Sequence, residues 1–318
     1  MSPSSPTGLP EPNTGGGRKR PTPGDRQAPR SQLANRPRFA EISPEVGVLD
    51  QDAFSKALEE DPEQALSLLA EMSGATDEAL RAAARALAAR LALDRARAGT
   101  PRRRGIGKMR SVTGGDEGDL DLDASLPAIA EARATGRALS ADDLTVRQWS
   151  KPTLALCLVI DASGSMGGAR LAAAALTAAA CAWRAPGEHA VLSFARDVKV
   201  LRPMDSTRGT DLLVDDILRL RGHGVTGLAG ALRAANDQLA GSRAGRRVVV
   251  LLSDCRATDD NDPLPAACAV PELLILAPRD DYEQAADLAN RCGGRWAAMA
   301  GAADAPAALL GLLEAPAG

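Results

Sequence analysis

Hydrophobic and polar positions divide the 318-residue chain into four stretches of different character. Residues 1–37 are mainly Pro, Gly, Ser and Arg, with too few large apolar side chains to offset the entropy of ordering. We therefore predict a disordered, mildly basic tail there.

Residues 38–98 have apolar side chains at helical spacing and predict a small helical module. The stripe includes Leu66, Leu69, Leu80, Leu87 and Leu91. The module is short, so it either docks on a partner or packs on the later domain.

Residues 99–150 are rich in charge, and we predict a charged linker. A basic stretch at 100–105 precedes an acidic stretch at 116–123, and the two are expected to neutralise each other. The alternating Asp119, Asp121 and Asp123 resemble part of a calcium loop, but the glycine and distal glutamate of an EF-hand loop are missing. We interpret this stretch as an exposed acidic edge.

From residue 151 to residue 318, strand and helix patterns alternate. The continuous apolar run 154–160 is typical of a central parallel strand buried on both faces, and runs 247–253 and 273–277 predict two more. A short strand pair is expected at 190–194 and 198–204. Helices are predicted at 168–184, 211–219, 228–239, 281–292 and 307–313. This alternation predicts an α/β fold with a doubly wound, mostly parallel sheet.

Composition and charge narrow the classes of function. The net charge of −3 gives no general attraction to nucleic acid or membrane. The five cysteines are odd in number and lack a C-x-x-C pair, which argues against a disulfide framework or a zinc site. The N-terminus does not have the pattern of a signal peptide, and no apolar run is long enough for a membrane span. We expect a cytoplasmic protein.

Oxygen-bearing side chains follow the first central strand in the run Asp161-Ala162-Ser163-Gly164-Ser165-Met166. In an extended turn, alternate residues project the same way, so one carboxylate and two hydroxyls converge on one point. Thr226 at a helix start and Asp254 after the second central strand are expected at the same sheet edge. Such hard oxygen donors suit Mg²⁺, with Mn²⁺ or Ca²⁺ as alternatives. The competing interpretation is that the residues of the first run only cap the next helix.

These motifs resemble the metal-ion-dependent adhesion site of a von Willebrand factor A domain, a Rossmann-like fold, over the second half of the chain. The resemblance implies that Ser163, Ser165 and Thr226 bind the metal through hydroxyls. It implies that Asp161 and Asp254 act mostly through bound waters. Val225 stands where this family often has glycine. In such a site the metal retains affinity for a carboxylate of another protein.

The pattern Leu158-Val159-Ile160-Asp161-Ala162-Ser163-Gly164-Ser165-Met166 is similar to two groups within that family. They are the CoxE-like proteins that work with MoxR-type AAA+ ATPases and the D-subunits of magnesium chelatases. The first resemblance implies a Mg²⁺-dependent interaction protein that acts with the ATPase. Together they would remodel a client protein or insert a metal into it, and the client would supply an Asp or Glu to the Mg²⁺. The alternative is a D-type subunit of a magnesium or cobalt chelatase. Chain length favours the first, since D-subunits normally carry an ATPase-like domain ahead of this one.

The sequence lacks the residues that are characteristic of the enzyme classes we considered. A phosphatase using Asp161 as nucleophile needs a second aspartate where Ser163 stands. The Gly-Ile-Gly-Lys stretch at 105–108 lacks the first glycine and the Ser or Thr of a phosphate loop. His189 and His223 are interpreted as loop residues, and Cys255 as a buried small residue. We expect no catalysis, and we rank extracellular adhesion third because a secretion signal and disulfides are not evident.

Overall fold

The computed structural model describes residues 27–98, 108–114, 119–150, 153–164, 167–222 and 224–315. The helices of this part are α1 Arg30–Leu33, α2 Phe39–Ile42, α3 Gln51–Glu60, α4 Pro62–Met72, α5 Glu78–Ala98, α6 Leu122–Thr135, α7 Gly168–Arg184, α8 Thr210–Leu218, α9 Leu228–Ala240, α10 Leu264–Ala269, α11 Glu283–Cys292 and α12 Ala305–Glu314. The strands are β1 Lys108–Thr113, β2 Asp119–Leu120, β3 Thr145–Ser150, β4 Leu154–Asp161, β5 His189–Phe194, β6 Val198–Arg202, β7 Arg246–Leu252, β8 Leu273–Pro278 and β9 Arg295–Met299. Short 3₁₀ turns cover Ala141–Asp143 and Ala302–Asp304.

A six-stranded sheet in the order β6-β5-β4-β7-β8-β9 forms the second half of the chain. Every neighbouring pair is parallel except the β5–β6 hairpin, which confirms the predicted α/β fold. Alternate residues of β4 face two separate cores, one with α7, α8 and α12 and the other with α9, α10 and α11. The strand β9 was not predicted. Because β4 and β7 pair in parallel with Ile160 opposite Leu252, the residues that follow them emerge side by side.

The helical module begins earlier than the predicted residue 38. Ala28 donates its backbone N–H to the Gly74 carbonyl at 2.8 Å, and Thr76 donates back to Ala28 at 2.9 Å. Leu33 is buried in the same small core as Phe39. Residues 27–37 are therefore part of the module, because this one leucine and the backbone pairing anchor them. The rest of the predicted tail, residues 1–26, lies outside the described residues.

The module packs on the sheet domain through α4 and α5, which lie against α7. The two elements approach closely at Gly168, where a Cβ would come 2.3 Å from the Ser67 carbonyl oxygen. The Glu63 carboxylate accepts the backbone N–H of Ala302 at 2.6 Å, so α4 also contacts the loop after β9. Of the two sequence-based alternatives, the structure has the module packed on the domain.

The predicted linker at 99–150 is wrong for its described part. Residues 108–150 contain a three-stranded antiparallel sheet, in the order β1-β3-β2, with α6 beside it. Asp121 caps α6 by accepting the N–H of Ala124 at 3.2 Å, and it pairs with Arg147 at 2.8 Å. The bond from Ala124 and the guanidinium lower the pKa of Asp121. Asp121 is buried rather than part of an exposed edge, because its charge is neutralised within this sheet; Asp119 and Asp123 are exposed. The basic stretch 100–105 lies outside the described residues.

No helix of the described ranges is both long enough and apolar enough to cross a lipid bilayer.

Candidate metal site

Asp161, the last residue of β4, is held by hydroxyl groups on both carboxylate oxygens. The Ser163 hydroxyl donates to Oδ1 at 2.5 Å, and the backbone N–H of Ser163 donates to the same atom at 2.9 Å. The Ser253 hydroxyl donates to Oδ2 at 2.6 Å. A hydroxyl that gives its hydrogen to a carboxylate keeps its lone pairs for another partner. Asp161 therefore fixes two hydroxyl oxygens as acceptors at this edge of the sheet.

Ser253 was missed as a site residue. It is buried directly after β7, and besides bonding Asp161 it accepts the backbone N–H of Cys255 at 2.9 Å. Its position could have been found from the sequence. Ser253 immediately precedes the predicted Asp254, and parallel pairing places the end of β7 beside the end of β4.

Thr226 is buried in the loop that leads into α9. Its backbone N–H donates to the Thr258 hydroxyl at 2.7 Å, and its carbonyl accepts the N–H of Thr258 at 3.2 Å. The next residue, Gly227, donates to the Ala195 carbonyl at 2.8 Å. The Thr226 loop is thus tied to the loop after β7 and to the end of β5. Thr258 was not predicted as a site residue. Its hydroxyl accepts the hydrogen bond from the Thr226 N–H and so connects the two loops.

Asp254 and Asp161 line the same cavity, of about 70 Å³, between the sheet edge and α7. Asp254 is half-buried, and its Oδ1 accepts the backbone N–H of Arg256 at 3.0 Å. The structure therefore brings together Asp161, Ser163 and Asp254, with Thr226 tied to the Asp254 loop. The fifth predicted residue, Ser165, lies outside the described residues.

Helix capping does not explain these side chains. Helix α7 begins at Gly168, and its N-cap residue Gly167 makes no side-chain cap bond. The Ser163 hydroxyl instead donates to Asp161, which also accepts from the Ser253 hydroxyl. The capping interpretation is wrong for Asp161 and Ser163.

The donor set fits a hard divalent cation. Among the described residues, no three His, Cys, Asp or Glu side chains come together as a metal-binding group. The residues brought together offer two carboxylates, Asp161 and Asp254, and the hydroxyl of Ser163, to which the prediction adds the hydroxyl of Thr226. Mg²⁺ accepts such oxygen donors and keeps several waters, whereas zinc and copper prefer imidazole or thiolate.

Two residues considered as a nucleophile or a base, Cys255 and His189, lie in the described part of the chain. Burial raises the pKa of the Cys255 thiol, so it stays protonated at neutral pH. His189 begins β5, at the opposite end of the strands from Asp161. Its burial, and secondarily Arg202, lower its pKa to about 4. His223 lies outside the described residues.

Residues 156–256 match the family model of the von Willebrand factor type A domain. No curated protein matches the chain. Solved structures with a similar fold include an aerotolerance-related membrane protein from Bacteroides fragilis, 15% identical over 50% of this chain and 98% of that one, with a TM-score of 0.40. A von Willebrand factor type A structure from Catenulispora acidiphila is 14% identical over 51% of this chain and 42% of that one, at a TM-score of 0.38. The manganese-loaded TRAP protein of Plasmodium vivax is 14% identical over 46% and 69%, at 0.35. At these identities the likeness concerns the fold alone.

Proposed function

We propose that this chain, whose residues 156–256 match the von Willebrand factor type A domain, is a non-catalytic protein-interaction component that binds its partner through Mg²⁺. The partner is a MoxR-type AAA+ ATPase or the client that this ATPase remodels or loads with metal. The complex acts in the cytoplasm.

The observation that carries the proposal is the double hydrogen bond to Asp161. Ser163 and Ser253 donate to its two oxygens, so the carboxylate binds hydroxyl groups instead of facing a cation directly. Ser163, Ser165 and Thr226 would hold Mg²⁺ through neutral hydroxyls, with Asp161 and Asp254 acting through water. Bound in this way, Mg²⁺ would keep most of its positive charge and attract a carboxylate from another protein.

The surroundings of the site support a binding role over a catalytic one. The Cys255 thiol is buried with a raised pKa, and His189 lies at the other end of the strands. All five cysteines are free, which is typical of proteins from a reducing compartment.

The ATPase partner is inferred from the pattern at 158–166, which is similar to that of the CoxE-like proteins that work with MoxR-type ATPases. The same pattern is similar to that of chelatase D-subunits, so the chelatase role is the second candidate. Stimulation of a chelatase by the purified chain would favour that candidate.

Isothermal titration with MgCl₂ and a pull-down of a MoxR-type ATPase, with Mg²⁺ or with EDTA, test the proposal. Asp161→Asn and Thr226→Val should lose Mg²⁺ binding and Mg²⁺-dependent capture. Asp237→Asn is the matched control, because Asp237 is exposed near the end of α9 that points away from Thr226. Capture that is unchanged in EDTA, or in both site variants while they remain folded, would show the proposal to be wrong.

A further inference from the structure

The cavity beside Asp161 has an apolar interior. Its volume is about 70 Å³, several times the roughly 10–15 Å³ that one water molecule needs by the same measure. The apolar walls are Ile160, Ala173, Leu252, Leu276, Pro278 and Met299. These residues come from β4, α7, β7, β8 and β9, and all except Pro278 belong to the core beneath α7 or pack against it. Such a space suits a small branched aliphatic group better than water, which needs polar partners.

The polar side of the cavity carries both signs of charge. Asp161, Ser253 and Asp254 line it, as does Arg170 from the first turn of α7. The Arg170 side chain lies over the loop after β4, since a Cβ on Gly164 would come 3.0 Å from its Nη1. Arg170 is exposed and forms no ion pair with any of the residues described. Its positive charge is therefore available to an anion at the site.

We propose that the cavity and Arg170 together select the ligand: a peptide segment in which an aspartate or glutamate has a neighbouring aliphatic residue of valine or leucine size. This inference rests on the proposed function, because the acid is the group that binds the metal. The aliphatic side chain enters the cavity, and Arg170 pairs with the carboxylate.

The shared wall of the metal site and the cavity favours two ligand groups that are neighbours in sequence. Asp161 and Asp254 belong both to the candidate metal site and to the cavity wall, so the two binding positions share a border. Consecutive residues of a chain have Cα atoms about 3.8 Å apart, so their side chains can occupy binding positions that adjoin each other. A free anion such as phosphate would use the cation and Arg170 and leave the apolar walls uncovered. A peptide covers both, so charge complementarity and apolar area point to the same ligand.

Two peptides that differ only in the aliphatic side chain test the inference, Ac-Gly-Leu-Asp-Gly-amide and Ac-Gly-Gly-Asp-Gly-amide. Their binding to the full chain is followed by methyl NMR in excess MgCl₂ and again in EDTA. The leucine peptide should bind about tenfold more tightly in Mg²⁺, the scale of discrimination that apolar pockets reach. It alone should shift the methyl resonances of Leu276 and Met299.

Variants separate the cavity from the charge. Ala173→Leu fills the cavity and should remove the advantage of the leucine peptide without changing the affinity for the glycine peptide. Ala173→Val serves the same purpose with less added volume if the leucine variant melts early. Arg170→Gln should weaken both peptides about equally, because it removes the charge and leaves the cavity intact.

The outcomes distinguish this inference from the proposed function. Equal affinity of the two peptides, or unchanged discrimination in folded Ala173→Leu, overturns the cavity assignment while Mg²⁺-dependent capture of the ATPase stands. Absence of binding by either peptide also overturns it. If the wild-type chain does not bind Mg²⁺ in the titration described above, both the cavity assignment and the proposed function are wrong.

Discussion

The hydroxyl of Ser253 donates a 2.6 Å hydrogen bond to Oδ2 of Asp161, and this bond joins the ends of the neighbouring strands β7 and β4. The same hydroxyl oxygen accepts the backbone N–H of Cys255. Ser253 thereby fixes the orientation of the carboxylate that organises the candidate metal site. Partners of this kind typically change metal affinity by 10- to 100-fold when they are removed.

We therefore expect Ser253→Ala to weaken Mg²⁺ binding by about tenfold or more, as measured by isothermal titration. It should also cost about 1–2 kcal/mol of unfolding free energy, because the Cys255 N–H and Asp161 Oδ2 both lose a buried partner. Ser253→Thr retains the hydroxyl and should recover most of the affinity. If Ser253→Ala binds Mg²⁺ like the wild type, Asp161 does not need this bond.

The second prediction concerns the contact between the helical module and α7. A methyl group at Gly168 would lie 2.3 Å from the Ser67 carbonyl oxygen, a backbone atom that cannot move without shifting α4. Gly168→Ala should lower the unfolding free energy by about 1–3 kcal/mol, the usual cost of overpacking. Denaturant unfolding measures this directly.

The matched control for that prediction is Gly230→Ala in the first turn of α9, since Gly168 also lies in the first turn of its helix. A Cβ there meets no atom within 4 Å, so alanine should stabilise the protein by about 0.4–1 kcal/mol. Stabilisation by Gly168→Ala as well would mean that α4 and α7 do not approach as closely as the structure has them.

The third prediction concerns Cys255, which has a left-handed backbone with φ of 63° although it is not glycine. A Cβ in this conformation costs about 1–2 kcal/mol. Cys255→Gly and Cys255→Ala both remove the buried sulfur, but only the glycine variant removes the Cβ. Cys255→Gly should therefore be about 1 kcal/mol more stable than Cys255→Ala in denaturant unfolding. The reverse order would place residue 255 in an ordinary conformation in solution.

The sheet and much of the site could be predicted because their signals are local. The apolar run that became β4 is buried on both faces, and Asp161, Thr226 and Asp254 each lie next to a strand or helix boundary. Small oxygen-bearing residues at the ends of parallel strands meet at one edge whatever the loops between them do. That is why the residues could be grouped without knowing any distance.

The parts that were missed depend on partners far away in sequence. Asp121 and Arg147 are 26 positions apart, and their pairing turns a charged stretch into a small sheet. Strand β9 contains Ala297 and Ala298, which lack the bulky apolar pattern of a strand. In the sequence Arg170 is simply a charged residue on a predicted helix. Its role could not be recognised without the structure, which places its side chain beside Gly164. Periodicity and motif spacing report none of these contacts.

The last prediction concerns pH and His189, which is buried at the start of β5. Its Nδ1 bonds the Ala185 carbonyl at 2.9 Å, Arg202 bonds its carbonyl, and its Nε2 is buried without a partner in the described structure. Burial first, and then the nearby charge of Arg202, lower the pKa of His189 to about 4, whereas an unfolded histidine titrates near 6.5. Between these values the unfolded chain binds more protons, so stability falls as the pH falls from about 6.5 to about 4. The loss due to His189 should reach about 2 kcal/mol at pH 5 relative to pH 8. Urea unfolding at both pH values measures this loss of stability. The variant His189→Asn cannot titrate, so its loss should be smaller than that of the wild type by about the same amount. An equal loss in both proteins would mean that His189 is accessible to protons in the folded state.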